Sequence, residues 1–312
     1  MTELQRYLAE EVVEDHADGI ITRREAMRRL GLLGLGSAAA SAFLAGPVAK
    51  AGAHGSHGGH RSRGRHGGDH GGATVEEWAP IATGAITFPG PNGTLMAAFA
   101  AAANPFGGVL VIHENRGLTD HIRVVAGRYA AAGYSALAID LLSEEGGTAA
   151  IGDEAKVAAI LAGAPPERFD ADMKAGVTEL IKRIEGKRVG AIGFCFGGGM
   201  VWRLLAAGES RVAAAAPYYG PFPEGGDLRK AKAAILGVYG GLDARVNASR
   251  PAAETAIAAA GLKSKILVFT QADHAFFNDT GARFNAPAAA EAYRQTLRWF
   301  DKFVAGGRPR LV

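Results

Sequence analysis

The chain has one cysteine in 312 residues, Cys195. An intramolecular disulfide is therefore excluded, and cysteine usage says nothing about compartment. Charge of one sign is also scarce: 34 Lys and Arg stand against 31 Asp and Glu, a formal net of +3. That balance makes no case for nucleic acid as a partner. There is no internal repeat. No metal-ligand spacing appears in the C-terminal three quarters of the chain, so no metal or other cofactor is expected. Glycine is plentiful, at 44 residues, yet no glycine-rich phosphate cradle of the dinucleotide-binding type is present. What remains is ordinary globular composition, 48% hydrophobic and 21% charged, of a length suited to one or two domains.

The N-terminus has the order of a bacterial export signal. A polar stretch of some twenty residues leads to TRREAMRRL with the pair Arg23-Arg24. A Gly- and Ala-rich, modestly apolar run follows from Leu30 to Gly46, then small residues at Ala49-Lys50-Ala51. Charged region, short apolar region and A-x-A motif define such a signal, and the arginine pair gives it the twin-arginine form. Residues 1–51 are expected to address the protein to the twin-arginine export machinery. The destination is then periplasmic or secreted, with membrane contact only through the signal itself if it stays uncleaved. The run is weakly hydrophobic for a spanning helix, which needs about 20 apolar residues. Residues 52–73, GAHGSHGGHRSRGRHGGDHGGA, cannot bury a core and read as a disordered linker. Its histidines fix no coordination geometry, so a spacer is favoured over a metal site.

From Thr74 the texture changes. Ala85–Phe88 and Leu95–Ala100 flank Pro91-Asn92-Gly93, a hairpin signal. Six further apolar runs, at 107–114, 134–141, 188–195, 212–220, 233–241 and 265–274, alternate with helical spacing at 120–132, 152–162, 169–185, 196–207, 248–260 and 287–305. This alternation predicts one α/β domain over 74–312: a mostly parallel central sheet with helices on both faces.

In such sheets functional groups gather beyond the carboxyl ends of the strands. One run ends Gly193-Phe194-Cys195-Phe196-Gly197. This is G-x-S-x-G with Cys in the Ser position, a sharp strand-to-helix turn that needs small residues on either side. Asp243 follows the strand ending VYGG, and His274 follows the strand ending FTQAD. Nucleophile, acid, histidine is the chain order of α/β-hydrolases. A histidine accepts the thiol proton, and an acid orients its ring. The run VIHENRG adds Glu114 and Asn115 after an earlier strand. The backbone N–H groups of Phe196 and Asn115 are the expected oxyanion hole. The bland reading of Glu114 is an ion pair with Arg116 or Arg123.

These residues resemble the dienelactone hydrolase family, carboxymethylenebutenolidase-like members of the α/β-hydrolase fold. The resemblance spans 80–307 and rests on VIHENRG, GYSALAIDLL, GFCFGGG, APYYG, GGLDARV and DHAFFND. It implies a Cys195-His274-Asp243 triad that cleaves an ester or lactone, with Glu114 touching the thiol. The best-known members hold a substrate carboxylate with two arginines, one after the fourth strand and one four residues beyond the histidine. Here those places hold Leu142-Ser143-Glu144-Glu145 and Asn278. A neutral ester, lactone or thioester is therefore expected, with Asn278, Tyr219 and Phe276 in its pocket. Two other readings stay open from the residues: a redox-active thiol protein built on Cys195, and a non-catalytic binding module of the same fold.

Overall fold

The computed structural model describes residues 1–46 and 79–307. The expected cleavage motif at 49–51 and the linker 52–73 lie outside the described residues.

Eight strands form one sheet: β1 (Gly84–Gly90), β2 (Gly93–Ala100), β3 (Gly107–Ile112), β4 (Tyr134–Asp140), β5 (Val189–Phe194), β6 (Val212–Tyr218), β7 (Ala234–Gly240) and β8 (Ser264–Phe269). Their order is β1-β2-β4-β3-β5-β6-β7-β8. The β1–β2 and β2–β4 pairings are antiparallel, and the others are parallel. The expected α/β-hydrolase arrangement is thus present. The hairpin closes over Pro91-Asn92, with Gly90 opposite Gly93. Every residue of β3, β4, β5 and β7 is buried. Burial on both faces explains why these strands read as continuous apolar runs rather than alternating ones. Chain direction across the sheet reverses at the β3–β5 boundary, because β4 lies on one side of β3 and β5 on the other. That switch point places the ends of β3 and β5 side by side, where a crevice opens.

The helices that flank the sheet are α4 (Asp120–Ala131), α6 (Glu154–Gly163), α7 (Pro166–Arg183), α8 (Phe196–Ala206), α10 (Arg250–Ala259) and α11 (Ala286–Phe303). Short helices α5 (Thr148–Ile151) and α9 (Ala244–Asn247) occupy loops.

The segment expected to act as an export signal is itself folded against the domain. It forms α1 (Glu3–Ala17), α2 (Arg23–Leu32) and α3 (Ser37–Ala45). A reciprocal capping box starts α1: Gln5 N–H donates to Thr2 Oγ1 at 3.1 Å, and Thr2 N–H to Gln5 Oε1 at 2.8 Å. Thr22 caps α2 through Glu25 N–H at 3.2 Å. Tyr7, Leu8, Val12, Ala26, Leu30 and Ala40 are buried in the same core cluster as the sheet. Each large apolar side chain buried this way contributes about 1.5–3 kcal/mol. Packing of α1 against α2 and α6, and of α2 against α3 and α6, carries that burial. Among the described residues no helix is long and apolar enough to cross a membrane.

The turn after β5 has no slack. A Cβ on Gly193 would lie 2.1 Å from Gly197 O, and one on Gly197 would lie 2.3 Å from Ile112 O and 2.5 Å from His113 O. A Cβ on Gly198 would meet Tyr218 O at 2.3 Å, so α8 packs its first turn directly on the end of β6. Gly197→Ala is expected to destabilise the fold by about 1–3 kcal/mol, a fall in Tm of roughly 2–12 °C. Gly163→Ala at the end of α6, where a Cβ meets nothing within 4 Å, is the control. Equal melting temperatures for the two variants would contradict the packing described.

Candidate active site

Cys195 sits between β5 and α8 with φ 54 and ψ −118, a region that non-glycine residues rarely enter and one associated with functional sites. Two more non-glycine residues with positive φ lie at neighbouring strand ends, Tyr219 (φ 34) and Ala275 (φ 58). The Cys195 turn is held by its own amide, which donates to Tyr218 O at 3.1 Å. Phe196 is the first residue of α8, so its N–H has no acceptor within the helix. The helix N-terminus adds partial positive charge beside the sulfur.

Asp243 caps α9: its Oδ1 accepts from Val246 N–H at 3.0 Å, and its Oδ2 lies 2.6 Å from His274 Nδ1. His274 is 1% exposed, and its other nitrogen, Nε2, is buried with no hydrogen-bond partner. The Cys195 sulfur, a Glu11 carboxylate oxygen and a ring nitrogen of His274 all lie within 4.8 Å of one another. The structure therefore brings together Cys195, Asp243 and His274 from the ends of three different strands. Burial works against a charged His274, but the Asp243 carboxylate and the neighbouring sulfur outweigh it and hold its pKa well above the ordinary value. Burial likewise pushes Asp243 up, and His274 more than reverses this, leaving the acid lowered. The two groups thus favour an aspartate–imidazolium pair.

The thiol's carboxylate neighbour is not the expected one. Cys195 Sγ lies 3.4 Å from Glu11 Oε2 and 3.4 Å from the hydroxyl of Tyr7. Both belong to α1. Burial raises the thiol pKa, Glu11 raises it further, and His274 opposes them. Glu114 lines the same cavity, but its Oε2 accepts from Asn278 Nδ2 at 2.7 Å. Nor does it pair with the two arginines considered for it, since Arg116 reaches Glu154 and Arg123 reaches Asp120. Asn115 points its side chain outward to α1, donating to Glu11 Oε1 at 2.9 Å. The loop after β3 is fixed by His113, whose Nε2 accepts from Leu141 N–H at 3.1 Å while Nδ1 lies 2.6 Å from Glu114 O.

Of the expected pocket residues, Asn278 lines the cavity beside Cys195. Tyr219 and Phe276 do not. Both are fully buried, Tyr219 edge-on to the His274 ring at 5.3 Å and Phe276 edge-on to Tyr219 at 5.4 Å. They form the wall behind the imidazole because an aromatic flank after β6 and β8 packs into the core. Glu145 is turned away as well, forming a bidentate pair with Arg168 at 2.6 and 2.7 Å. Sequence reasoning missed Tyr7, Glu11, Arg245 and Arg283. The first two were assigned to a signal and the last two to no role. The capping pattern Thr2-x-x-Gln5 and the long acidic, amphipathic stretch after it were the available cues.

The dienelactone hydrolase family model matches residues 95–304. Among named relatives, the "Putative carboxymethylenebutenolidase" of Methylorubrum extorquens is 29% identical over 242 residues, covering 72% of this chain and 82% of that protein. Its namesake in Escherichia coli is 32% identical over 219 residues, covering 65% and 79%. Among solved structures, the "Putative Dienelactone Hydrolase" of Klebsiella pneumoniae superposes with a TM-score of 0.64 at 26% identity, covering 71% of this chain and 98% of that one. Dienelactone hydrolase from Anabaena variabilis gives 0.57 at 20% identity, covering 72% and 99%, a likeness of fold.

Burial raises the Glu114 carboxyl, partly offset by His121, Arg116 and the Asn278 hydrogen bond. A raised folded pKa favours the folded state at low pH and loses that contribution as pH rises through it. Glu114→Gln is therefore expected to gain stability over the wild type as pH rises from about 4, the ordinary glutamate value, and to match it below. Thermal melts across pH check this. A gap that widens toward acid would reverse the sign and refute it.

Proposed function

Because the chain belongs to the dienelactone hydrolase family, a family of ester- and lactone-type hydrolases, we propose that it cleaves a small neutral ester, lactone or thioester through a covalent acyl-thioester on Cys195. The observation that carries this reading is the Asp243–His274 contact of 2.6 Å, with the free imidazole nitrogen buried beside a thiol on a strained turn.

In the first half-reaction the neutral imidazole of His274 takes the thiol proton at Nε2 and becomes the imidazolium that Asp243 stabilises, and the sulfur attacks the carbonyl carbon. Negative charge moves to the carbonyl oxygen, where the N–H groups of Phe196 and Asn115 receive it. The intermediate collapses, the C–O bond to the alcohol breaks, and His274 returns its proton to the leaving oxygen. Water then adds to the thioester with His274 as base, releasing the acid and the free thiol. Asp243 keeps the ring in the required tautomer and stabilises its charged form.

A neutral substrate is supported by what the strand-end loops supply. Glu114 lines the cavity, Asn278 stands four residues past His274 where an arginine would be needed, and Glu145 is turned away to Arg168. An anionic group would meet a carboxylate there rather than a bidentate clamp. A redox-sensing role for Cys195 is less well supported. The chain has no second cysteine to resolve an oxidised Cys195 as an intramolecular disulfide.

For export, the supporting feature is the Arg23-Arg24 pair, exposed at the start of α2 and so open to a recognition machinery. The proposed destination is the periplasm or medium. Two outcomes test these readings. Cys195→Ala and His274→Ala should abolish hydrolysis of short p-nitrophenyl esters, and Asp243→Asn should lower kcat about 10³- to 10⁴-fold; near-native turnover by Cys195→Ala refutes the covalent route. Replacing both Arg23 and Arg24 by Lys should strand the protein in the cytoplasm on cell fractionation, and unchanged export would refute the twin-arginine assignment.

A further inference from the structure

Helix α1 lies across the carboxyl ends of the strands and touches each loop that supplies a reacting group. Glu11 meets Cys195 Sγ and Asn115. Arg245, two residues after Asp243, is paired with Glu14 at 2.9 Å, and its guanidinium lies 4.4 Å from the Tyr7 ring centre. Arg283, nine residues after His274, binds Asp15 and Asp18, both at 2.8 Å. These arginines are 7% and 13% exposed in their side chains, so the Arg245–Glu14 and Arg283–Asp15 pairs are largely shielded from solvent, while Asp18 lies at the open edge.

With α1 seated, the cavity beside Cys195 holds about 50 Å³. That is room for a few waters; pockets that take small organic ligands run to about 300 Å³ or more. A second, largely apolar hollow of about 280 Å³ lies under the first turns of α1, lined by Leu4, Tyr7, Pro165, Met200 and Pro221 among others. Tyr7 belongs to that hollow while its hydroxyl rests on the thiol. Withdrawal of Tyr7 and Glu11 would leave the hollow and the catalytic cavity with no α1 side chain between them.

We infer that α1 is an intramolecular plug, which seats Tyr7 and Glu11 on the Cys195 thiol and excludes substrate until the helix moves away. This rests on the hydrolase reading of the site. Glu11 serves the closed state specifically: it accepts from the thiol, and its charge opposes the thiolate that attack on a carbonyl requires. The acidic face of α1 is held by two arginines that flank the catalytic acid and histidine, so release of the plug and opening of the site are one event. Loss of residues 1–51 by signal cleavage would remove the plug entirely, which would keep the enzyme idle before export and active after it.

The test uses the full chain and two independent opening variants: Tyr7→Ala with Glu11→Gln, and Asp15→Asn with Asp18→Asn. The readouts are the rate of Cys195 alkylation by iodoacetamide, followed by mass spectrometry, and kcat/KM for p-nitrophenyl acetate. Both should rise about tenfold or more as the open fraction grows. Alkylation that stays at the wild-type rate overturns the plug, as does hydrolysis that falls while alkylation is unchanged. Faster alkylation with no hydrolysis in any form upholds the plug and rejects the hydrolase reading. Hydrogen exchange on the unmutated chain guards against misfolded variants. After carboxamidomethylation of Cys195, residues 3–17 should lose protection while β3 and β5 keep theirs, and retained protection in α1 overturns the proposal.

Discussion

The site depends on the contact between two pieces of backbone at the β5–α8 turn. Gly197 lies against the carbonyls of Ile112 and His113 so closely that even a methyl group does not fit. This brings the end of β3 against the start of α8. The same contact fixes where Phe196 N–H and the 114–115 loop stand relative to Cys195. Strain at Cys195, with φ 54, is tolerated because the surrounding sheet over-determines it. The 1–3 kcal/mol typical of such a conformation is small beside the burial of β3, β5 and α8.

Around that turn, electrostatics divides the labour. Asp243 and His274 stabilise each other's charge, whereas the thiol is held in its neutral form by burial and by Glu11. A site ready to attack would show the opposite for sulfur, a thiolate drawn toward the imidazolium. The acid and the ring are therefore held in place, but a charged imidazole beside a neutral thiol can neither accept the proton nor face a thiolate, so the seated site is not set for attack. Burial is the larger cause of the neutral thiol, and α1 adds to it through Glu11, the carboxylate in hydrogen-bond reach of Sγ.

Much of this was legible in the sequence. Buried parallel strands advertise themselves as short apolar runs, and the eight strands fall within a few residues of where those runs place them. Cys195, Asp243 and His274 were readable because the fold confines reacting groups to strand ends. The partner of the thiol was not. Glu114 had the right position in the chain, but Asn278, four residues past His274, captures its carboxylate. Glu11 lies 184 residues before Cys195, and no local pattern announces a contact over that distance. The composition around Arg23-Arg24 pointed to targeting and so drew attention away from packing. Tyr219 and Phe276 were misplaced for a simpler reason: sequence shows that aromatic residues follow a strand, but not which side of the histidine ring they cover.

The two faces of α1 differ in a way that bears on release. Leu8 and Val12 are buried with α2 and α6 close by, and apolar burial of that kind is non-directional and hard to undo piecemeal. The face toward the site is polar: Tyr7 hydroxyl, Glu11, Glu14, Asp15 and Asp18. Ion pairs withdrawn from water gain little net stability, because desolvation consumes most of the Coulomb attraction. Exchange of Glu14, Asp15 and Asp18 from their arginines into solvent therefore has a smaller cost than the number of contacts suggests. An apolar plug of equal size would bind the cleft far more firmly. The chain keeps its apolar contacts for assembling α1 with its neighbouring helices and its polar contacts for closing the cleft. A helix built this way can leave the cleft while the helices beside it stay packed.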